Sequence, residues 1–437
     1  MVAVTEKKEG ASQGWVAAAL AEAKKRQSSN PALAQFSQLF NDAESVWSKV
    51  LFPTPRLEGW KYTNTEEIAK GAFALAAQQA TAISPKDLEA LLPAGLEAHS
   101  LVFVDGIFAP TLSAQGSPKG ARVTRLAEGS DCAVGSLAPH KEDAFAALAT
   151  TLMCDGVSIA VERSKVVSTP IHIVHINTGA SAYRVMTPRL FVDAGEASQV
   201  TIVESHLSTG TGKYLSLPVA EIVAHDGAVV DYYKCQLEDV QASHVSNLFV
   251  SQGRSGSVSA HIFSFGGGLV RNNATTSLKG SGATTTLNGL SVLNGTQHVD
   301  NSTVIHHIEP NIESREHFKG IYADSSRGVF SGTIIVDQIA QKTNAFQSNQ
   351  ALLLSPNASI ETRPQLKIWA DDVKCTHGAT VGQLDEDAMF YLRSRGIGKE
   401  DARNFLVHAF ASEVVTGVRI PALKEYVEAQ ITKKLGA

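Results

Sequence analysis

The chain of 437 residues carries 38 basic and 43 acidic residues, which gives a formal net charge of −5 at pH 7. Because there is no basic excess, nucleic acid is not expected to be the main partner, and because no apolar run approaches about 20 residues, no membrane span is expected. The length allows two or three domains, or one elongated repeat body with appended elements.

Four widely spaced cysteines, with no CxxC pair, indicate reduced thiols and a cytoplasmic location. The N-terminal stretch carries acidic residues and no long apolar run, so it has the character of neither a secretory signal nor a typical transit peptide. We expect Cys132, Cys154 and Cys235 to be buried as small hydrophobic side chains.

Residues 1–100 are predicted to form an N-terminal helical domain. A helix is predicted to begin at Pro31. Its apolar positions recur at helical spacing, at Leu33, Phe36, Phe40, Trp47 and Leu51. The loop that follows contains Trp60 and Tyr62, which we expect to anchor the helical arm to the main body. Ser84 is predicted to cap a further short helix.

Residues 156–382 follow a lead-in of mixed α/β character at 101–155, and their pattern predicts a β-solenoid. Short β-branched runs alternate with turn residues, and turn clusters recur about every 27 to 33 residues, which is typical of stacked coils. The stretch 243–299 contains only three charged residues, Arg254, Arg271 and Lys279. Uncharged ladders suit stacked strands because like charges in neighbouring coils would repel.

The predicted fold class is therefore mainly β, with a right-handed parallel β-helix (β-solenoid) core between N-terminal and C-terminal α-helical domains. About seven or eight coils would bury a continuous core. A pair of β-sandwiches is the second possibility.

Residues 383–437 are predicted to form a C-terminal helical cap. Asp385 caps a first helix, which ends at Gly396. The apolar face of the second helix is predicted to consist of Phe405, Leu406, Ala409 and Phe410. The third helix begins at Pro421, and its apolar face consists of Leu423, Val427, Ile431 and Leu435. We expect these helices to close the end of the solenoid and to present an apolar face to a partner.

The strongest candidate site is the pair Cys375 and His377. The two residues are two positions apart, so both side chains project from the same face of an extended strand. A thiol and an imidazole suit zinc, iron or an iron–sulfur centre. Two ligands do not complete a metal site, so we expect another surface to supply the rest. An inert Cys375 and a Cys–His hydrolase are the alternatives, although no oxyanion-hole turn accompanies the pair.

Four histidines lie close together in the sequence, at His298, His306, His307 and His317. His306 and His307 are adjacent and point to opposite sides of a strand, so at most one of them can serve a single site. Solvated or stacked histidines on the coils are the simpler interpretation, and a transient iron-loading site is the alternative. The glycine-rich stretch 210–214 lacks the spacing of a phosphate loop, so the chain is expected to have no nucleotide site of its own.

Seven stretches carry a family resemblance: 56–63 (RLEGWKYT), 318–332 (FKGIYADSSRGVFSG), 340–344 (AQKTN), 350–355 (QALLLS), 364–368 (PQLKI), 371–382 (DDVKCTHGATVG) and 390–396 (FYLRSRG). Together they resemble the SufB/SufD family of iron–sulfur cluster assembly proteins. The SufD branch fits better than the SufB branch. The strand before the Leu-Leu-Leu run reads Gln347-Ser348-Asn349-Gln350, without the cysteine expected of SufB, and Thr376 and Gly378 replace SufB's acidic flanks around the motif histidine.

This resemblance implies a scaffold subunit that is not an enzyme. It would pair with a SufB-like paralogue as a heterodimer and bind a SufC-like ATPase, to build and transfer nascent iron–sulfur clusters, with iron acquisition as a further role. His377 would be an iron or cluster ligand and Cys375 an accessory thiol, at a transient cluster shared with SufB. The partner-binding residues would be Phe390, Tyr391, Phe405 and Phe410. A homodimer is expected when the partner is absent, and the rival readings are a carbohydrate-active β-solenoid enzyme and a purely structural adaptor.

Overall fold

Two facing parallel β-sheets form the body of the protein. The computed structural model describes residues 14–76, 83–130, 132–137, 140–141, 143–179 and 183–435. Sheet A contains β1 (Ala74–Leu75), β4 (Ala121–Arg125), β5 (Val157–Val161), β7 (Arg184–Met186), β8 (Arg189–Ala194), β10 (Leu215–Ser216), β11 (Val219–Ala224), β13 (Ser243–Gln252), β15 (Leu269–Leu278), β17 (His298–His307), β19 (Arg327–Val336) and β21 (Ser359–Ile368). Sheet B contains β2 (His99–Val104), β3 (Ile107–Phe108), β6 (Ile171–Asn177), β9 (Gln199–Ser208), β12 (Val229–Leu237), β14 (Ser257–Ser264), β16 (Thr284–Leu293), β18 (Glu313–Tyr322), β20 (Asn344–Leu353) and β22 (Lys374–Gly382).

The chain winds between the two sheets as a solenoid of about seven turns, which confirms the predicted fold class. From β8 to β22, each strand pairs in parallel with the strand one coil earlier in the same sheet. Thr286 thus lies beside Arg315, and Arg315 lies beside Phe346. Because side chains alternate along a strand, every second residue points between the sheets. The resulting core includes Ile202, Ile222, Val250, Ile262, Leu287 and Phe330.

Helices flank the solenoid at both ends of the chain. They are α1 (Gly14–Ser29), α2 (Pro31–Ala34), α3 (Ser37–Val50), α4 (Glu66–Ala69), α5 (Pro85–Leu91), α6 (Ala144–Leu152), α7 (Glu386–Ser394), α8 (Lys399–Val415) and α9 (Pro421–Leu435). The single helix predicted from Pro31 is divided into α2 and α3. The chain turns at Phe36, whose side chain is buried against Phe40 with 6.3 Å between the ring centroids. Asn30 caps α2, and Ser84 caps α5 as predicted.

The predicted anchor of the N-terminal arm is confirmed for Trp60, whereas Thr63 makes the second contact that was predicted for Tyr62. Tyr62 is half-buried, and the Lys61 ammonium lies 5.0 Å from its ring centroid. The centroid of the Trp60 ring lies 5.3 Å from that of the Phe145 ring. The guanidinium of Arg271, on β15, lies 3.9 Å from the centroid of the Trp60 ring. Thr63 donates a hydrogen bond to Asp300 on β17. The loop therefore attaches the helical arm to the middle coils.

The C-terminal helices do not close the end of the solenoid, so that prediction is wrong. Helices α8 and α9 pack against the outer side of sheet B, chiefly on β16 and β18. The face of α8 that packs there consists of Ala402, Val407, Ala411 and Val414, all fully buried. On α9, Leu423, Val427 and Ile431 are buried as predicted. The smaller residues of α8 allow the helix to approach the sheet closely, and Phe405 remains exposed.

The cysteines differ in burial more than their sequence surroundings predicted. Cys235 is fully buried, as expected, whereas Cys132 and Cys154 are half-buried. Cys154 lines a cavity of about 370 Å³ between the N-terminal arm and the first coils, which leaves part of its side chain uncovered. Among the helices that the structure describes, none combines the length and the apolar character needed to cross a membrane.

Candidate functional site

The His377 side chain continues a column of residues inside the solenoid. His377 on β22 is in register with Gln347 on β20, which is in register with Glu316 on β18. Gln347 and Glu316 are both fully buried, so this column faces the interior between the two sheets. His377 itself is exposed because no further coil covers the last one. Cys375, two residues earlier, shares this face.

The last coil leaves a sheet edge open. In the described part of the chain, β20 is the only strand paired with β22, so the outer edge of β22 presents unpaired backbone donors and acceptors. Large hydrophobic side chains lie exposed on this coil and its neighbour, with exposed fractions of 42% for Phe346, 58% for Trp369 and 49% for Val381. An edge of this kind suits the addition of a strand or sheet from another chain.

The Cys375 thiol is partly covered by a small apolar cluster that includes Ile334, Ala345 and Ala370. This burial raises the pKa of the Cys375 thiol, and a hydrogen bond with the Ala345 backbone lowers it only in part. The neutral thiol is a poor nucleophile and a poor metal ligand. The thiolate, which is the form that binds metals, is therefore harder to form at Cys375 in this chain alone than at a fully exposed cysteine.

The described side chains do not complete a metal site around this pair. Within the described ranges, no three His, Cys, Asp or Glu side chains gather closely enough to hold a metal ion. The arrangement of Cys375 and His377 can therefore supply a soft and a borderline ligand to a centre whose other ligands come from elsewhere.

The four histidines between 298 and 317 do not form one site. His298 lies 3.0 Å from the Thr63 hydroxyl, and His306 lies 3.0 Å from Asp337 at the surface. His307 points into the core, where its Nε2 lies 2.9 Å from the Ser314 hydroxyl, so His306 and His307 face opposite sides as predicted. His317 lies 3.6 Å from Glu413 of α8. Each of the four rings contacts a different residue, which favours separate histidines on the coils over a shared iron-loading site.

Three of the four predicted partner-binding residues are exposed on the C-terminal helices. The exposed fractions are 75% for Phe390, 57% for Tyr391 and 61% for Phe405. Phe410 differs because it is half-buried against sheet B, with the Lys319 ammonium 4.3 Å from its ring centroid. The exposed aromatic surface of these helices consequently consists of Phe390, Tyr391 and Phe405.

Gln347 and Glu316 were not predicted to lie next to the candidate site. The Gln347 amide donates a hydrogen bond to the Glu316 carboxyl at 2.6 Å. Burial raises the pKa of Glu316 to about 7, and hydrogen bonds from Thr303 and Gln347 lower it only in part. The signal in the sequence is the spacing of about 30 residues between Glu316, Gln347 and His377, which equals one coil.

Two family models together match most of this chain. The family described as SUF system FeS cluster assembly, SufBD core domain, matches residues 175–410, and the SufBD protein N-terminal region matches residues 18–173. The iron-sulfur cluster assembly protein SufD of Escherichia coli is 33% identical over 385 residues, which cover 88% of this chain and 89% of that protein.

Two further relatives come from photosynthetic organisms. An iron-sulfur cluster assembly SufBD family protein of Synechocystis is 30% identical over 399 residues, 87% of each chain. The chloroplastic protein ABCI7 of Arabidopsis thaliana is 36% identical over 233 residues, 53% of this chain and 49% of that protein. The family models and the long SufD match together show that this chain belongs to the SufBD family of iron–sulfur cluster assembly proteins and is SufD-like.

Proposed function

We propose that this chain is a scaffold subunit, without catalytic activity of its own, that pairs with a SufB-like paralogue through the open end of its solenoid. His377 binds iron or a nascent iron–sulfur cluster at that junction, and Cys375 is an accessory thiol. The cluster is cargo that both subunits hold transiently. The four widely spaced cysteines, without a CxxC pair, favour a cytoplasmic location.

A single observation carries this proposal: His377 is exposed on β22, whose outer edge has no partner among the described strands, and Phe346, Trp369 and Val381 are exposed on the same coil and its neighbour. Exposed apolar side chains and an unpaired strand edge at the same place do not stabilise a single chain, and they are typical of a surface that binds another protein. A second solenoid that docks there covers the apolar side chains and pairs the free edge. The same contact removes water from His377 and Cys375 and brings further ligands to them.

The C-terminal helices are the proposed docking surface for a SufC-like ATPase. Phe390, Tyr391 and Phe405 lie exposed on α7 and α8. Helix α8 contacts the solenoid at β16 and β18, the strands that lead towards the terminal coil of sheet B. An ATPase that moves α8 can therefore act on the sheet that carries His377. Replacing Phe390 and Phe405 by serine is expected to abolish co-purification of the ATPase, while Val166→Ser, at an equally exposed apolar residue on the solenoid, is expected to leave it intact.

The experiment that tests the ligand role compares complexes produced together with the SufB-like and SufC-like partners. After anaerobic reconstitution, iron and sulfide are measured per complex for the wild type, His377→Ala and the control His225→Ala. His225 is an exposed histidine that is paired with Asp193 on a distant coil. We expect the His377→Ala complex to assemble and to lose most of its iron and sulfide. Normal iron and sulfide in that variant would show that the assignment of His377 is wrong.

The second candidate, a purely structural adaptor, is favoured by the neutral, partly covered thiol of Cys375. Alkylation of Cys375 in the assembled complex, with and without ATP, separates the two functions. The scaffold proposal expects ATP to change the labelling rate, because movement of the subunits exposes the thiol. A rate that ATP does not change would favour the adaptor.

A further inference from the structure

The buried pair beneath His377 has a fixed orientation and one unused acceptor. Gln347 Nε2 donates to Glu316 Oε2 at 2.6 Å. Since the nitrogen of this planar amide points at the carboxyl group of Glu316, the amide oxygen points away from that carboxyl group. Gln347 Oε1 is buried and has no hydrogen-bond partner among the described residues. A buried carbonyl oxygen without a donor is destabilising, so it needs an explanation.

The fold makes room for this amide on the opposite sheet. Gly332 on β19 faces Gln347, and a Cβ atom at this position would lie 2.4 Å from Gln347 Nε2. That distance is far below van der Waals contact, so only glycine leaves the space that the amide occupies. Gly332 thus leaves room for the Gln347 amide, and the hydrogen bond to Glu316 determines which of its atoms is unpaired.

The strand register places His377 on β22 directly beside Gln347 on β20, and the His377 ring can donate a hydrogen bond. Neighbouring strands lie about 4.8 Å apart, and residues in register on the same face contact each other. The His377 ring has no hydrogen bond or ion pair to any described residue, so both ring nitrogens are available. A histidine that binds a metal through one nitrogen almost always donates its other N–H to an acceptor of the protein, which fixes the ring and its tautomer.

We propose that Gln347 is a positioning residue for His377: its Oε1 accepts the N–H of the ring nitrogen that does not bind iron, and Glu316 holds the amide in the orientation that makes this possible. The proposal rests on the ligand role of His377 given above. It adds a role for two buried residues that never touch the iron or the cluster.

The test measures ferrous iron affinity of the assembled complex under anaerobic conditions, by competition with a chromophoric chelator. Gln347→Leu removes the acceptor and is expected to weaken iron binding by about 10- to 100-fold. The exchanged pair, Gln347→Glu with Glu316→Gln, keeps one amide and one carboxyl group and places an acceptor beneath His377, so it is expected to bind iron as the wild type does. Asn349→Leu removes a buried amide from the same strand, where Asn349 bonds Thr362 instead, and is expected to leave affinity unchanged.

Two comparisons decide the outcome. If His377→Ala keeps wild-type affinity, the ligand role itself fails. If His377→Ala loses affinity but Gln347→Leu does not, or if the exchanged pair binds as weakly as Gln347→Leu, only the positioning role fails. Should Gln347→Leu not assemble, Gln347→Asn replaces it. Its amide is one methylene shorter and withdraws the oxygen from His377, so wild-type affinity in that variant also overturns the positioning role.

Discussion

Glu316→Gln is expected to make the isolated chain more stable at pH 8 and to have a much smaller effect at pH 5. Glu316 is fully buried on β18, and burial raises the pKa of its carboxyl group from 4.5 to about 7. The unfolded chain loses this proton near pH 4.5, whereas the folded chain keeps it until about pH 7. The contribution of Glu316 to stability is therefore fully present below pH 4.5 and is lost as pH rises through about 7.

The size of the effect follows from the difference between the two pKa values. Each pH unit of difference corresponds to about 1.4 kcal/mol, so complete ionisation of Glu316 in the fold costs on the order of 3 kcal/mol. Glutamine has the same shape and still accepts the hydrogen bond from Gln347, but it does not ionise. The stability gained by Glu316→Gln should grow from about 0.8 kcal/mol at pH 5 to about 3 kcal/mol at pH 8.

Urea unfolding of the wild type and the variant at several pH values between 5 and 8 measures this difference, and titrations common to both proteins cancel in it. Glu361→Gln is the matched control because Glu361 is exposed on the neighbouring β21. Its effect should stay within about 0.5 kcal/mol at every pH. A difference for Glu316→Gln that does not change with pH, or that shrinks as pH rises, would refute the claim that burial keeps this carboxyl group protonated.

Three further predictions concern acid sensitivity, the C-terminal helices and the thiols. Burial lowers the pKa of His172 to about 4. The neutral His172 ring therefore contributes fully to stability above pH 6.5, and this contribution is lost as pH falls to 4. In urea titrations at pH 4, His172→Gln should reduce the acid destabilisation by about 3 kcal/mol. Arg419→Ala leaves the largely buried Asp231 without this partner and should lower the free energy of unfolding by about 1–2 kcal/mol. Adding Asp231→Asn to that variant should largely restore the free energy of unfolding. In native alkylation Cys375 should react well before Cys235, because burial raises the pKa of the latter to about 12.

The solenoid was predictable because its signal is repeated along the chain. Turn clusters, β-branched runs and the uncharged stretch 243–299 all indicate the same coil, and an error in one coil leaves the others unaffected. The placement of α8 had no such support. Its sequence offers one face with Phe405 and another with Ala402, Val407 and Ala411, and helical periodicity alone does not decide which face the sheet receives. Close packing selects the face with the small residues.

The candidate site was predictable in its exposed half only. Cys375 and His377 are two positions apart in sequence, and a period of two is enough to place them on the same face of a strand. Gln347 and Glu316 come into contact through the register of three strands, so their relation to His377 depends on every loop length between positions 316 and 377. Coil lengths in this region vary by a residue or more, and a shift of one residue would turn a side chain to the other face.

The end of the solenoid explains why His377 and Cys375 should be weak ligands in the isolated chain. Deeper coils fill the space between the sheets with large side chains, such as Phe318 and Phe330, whose ring centroids are 5.2 Å apart. At the last coil the space is open, and water surrounds His377 and stabilises its free form. We expect a covering partner to reverse this balance, because it would remove that water, add ligands and leave Gln347 Oε1 as an acceptor beneath the ring. On the proposed function, the affinity for iron is therefore expected to be a property of the assembled pair, set in part by residues buried in this chain before the partner arrives.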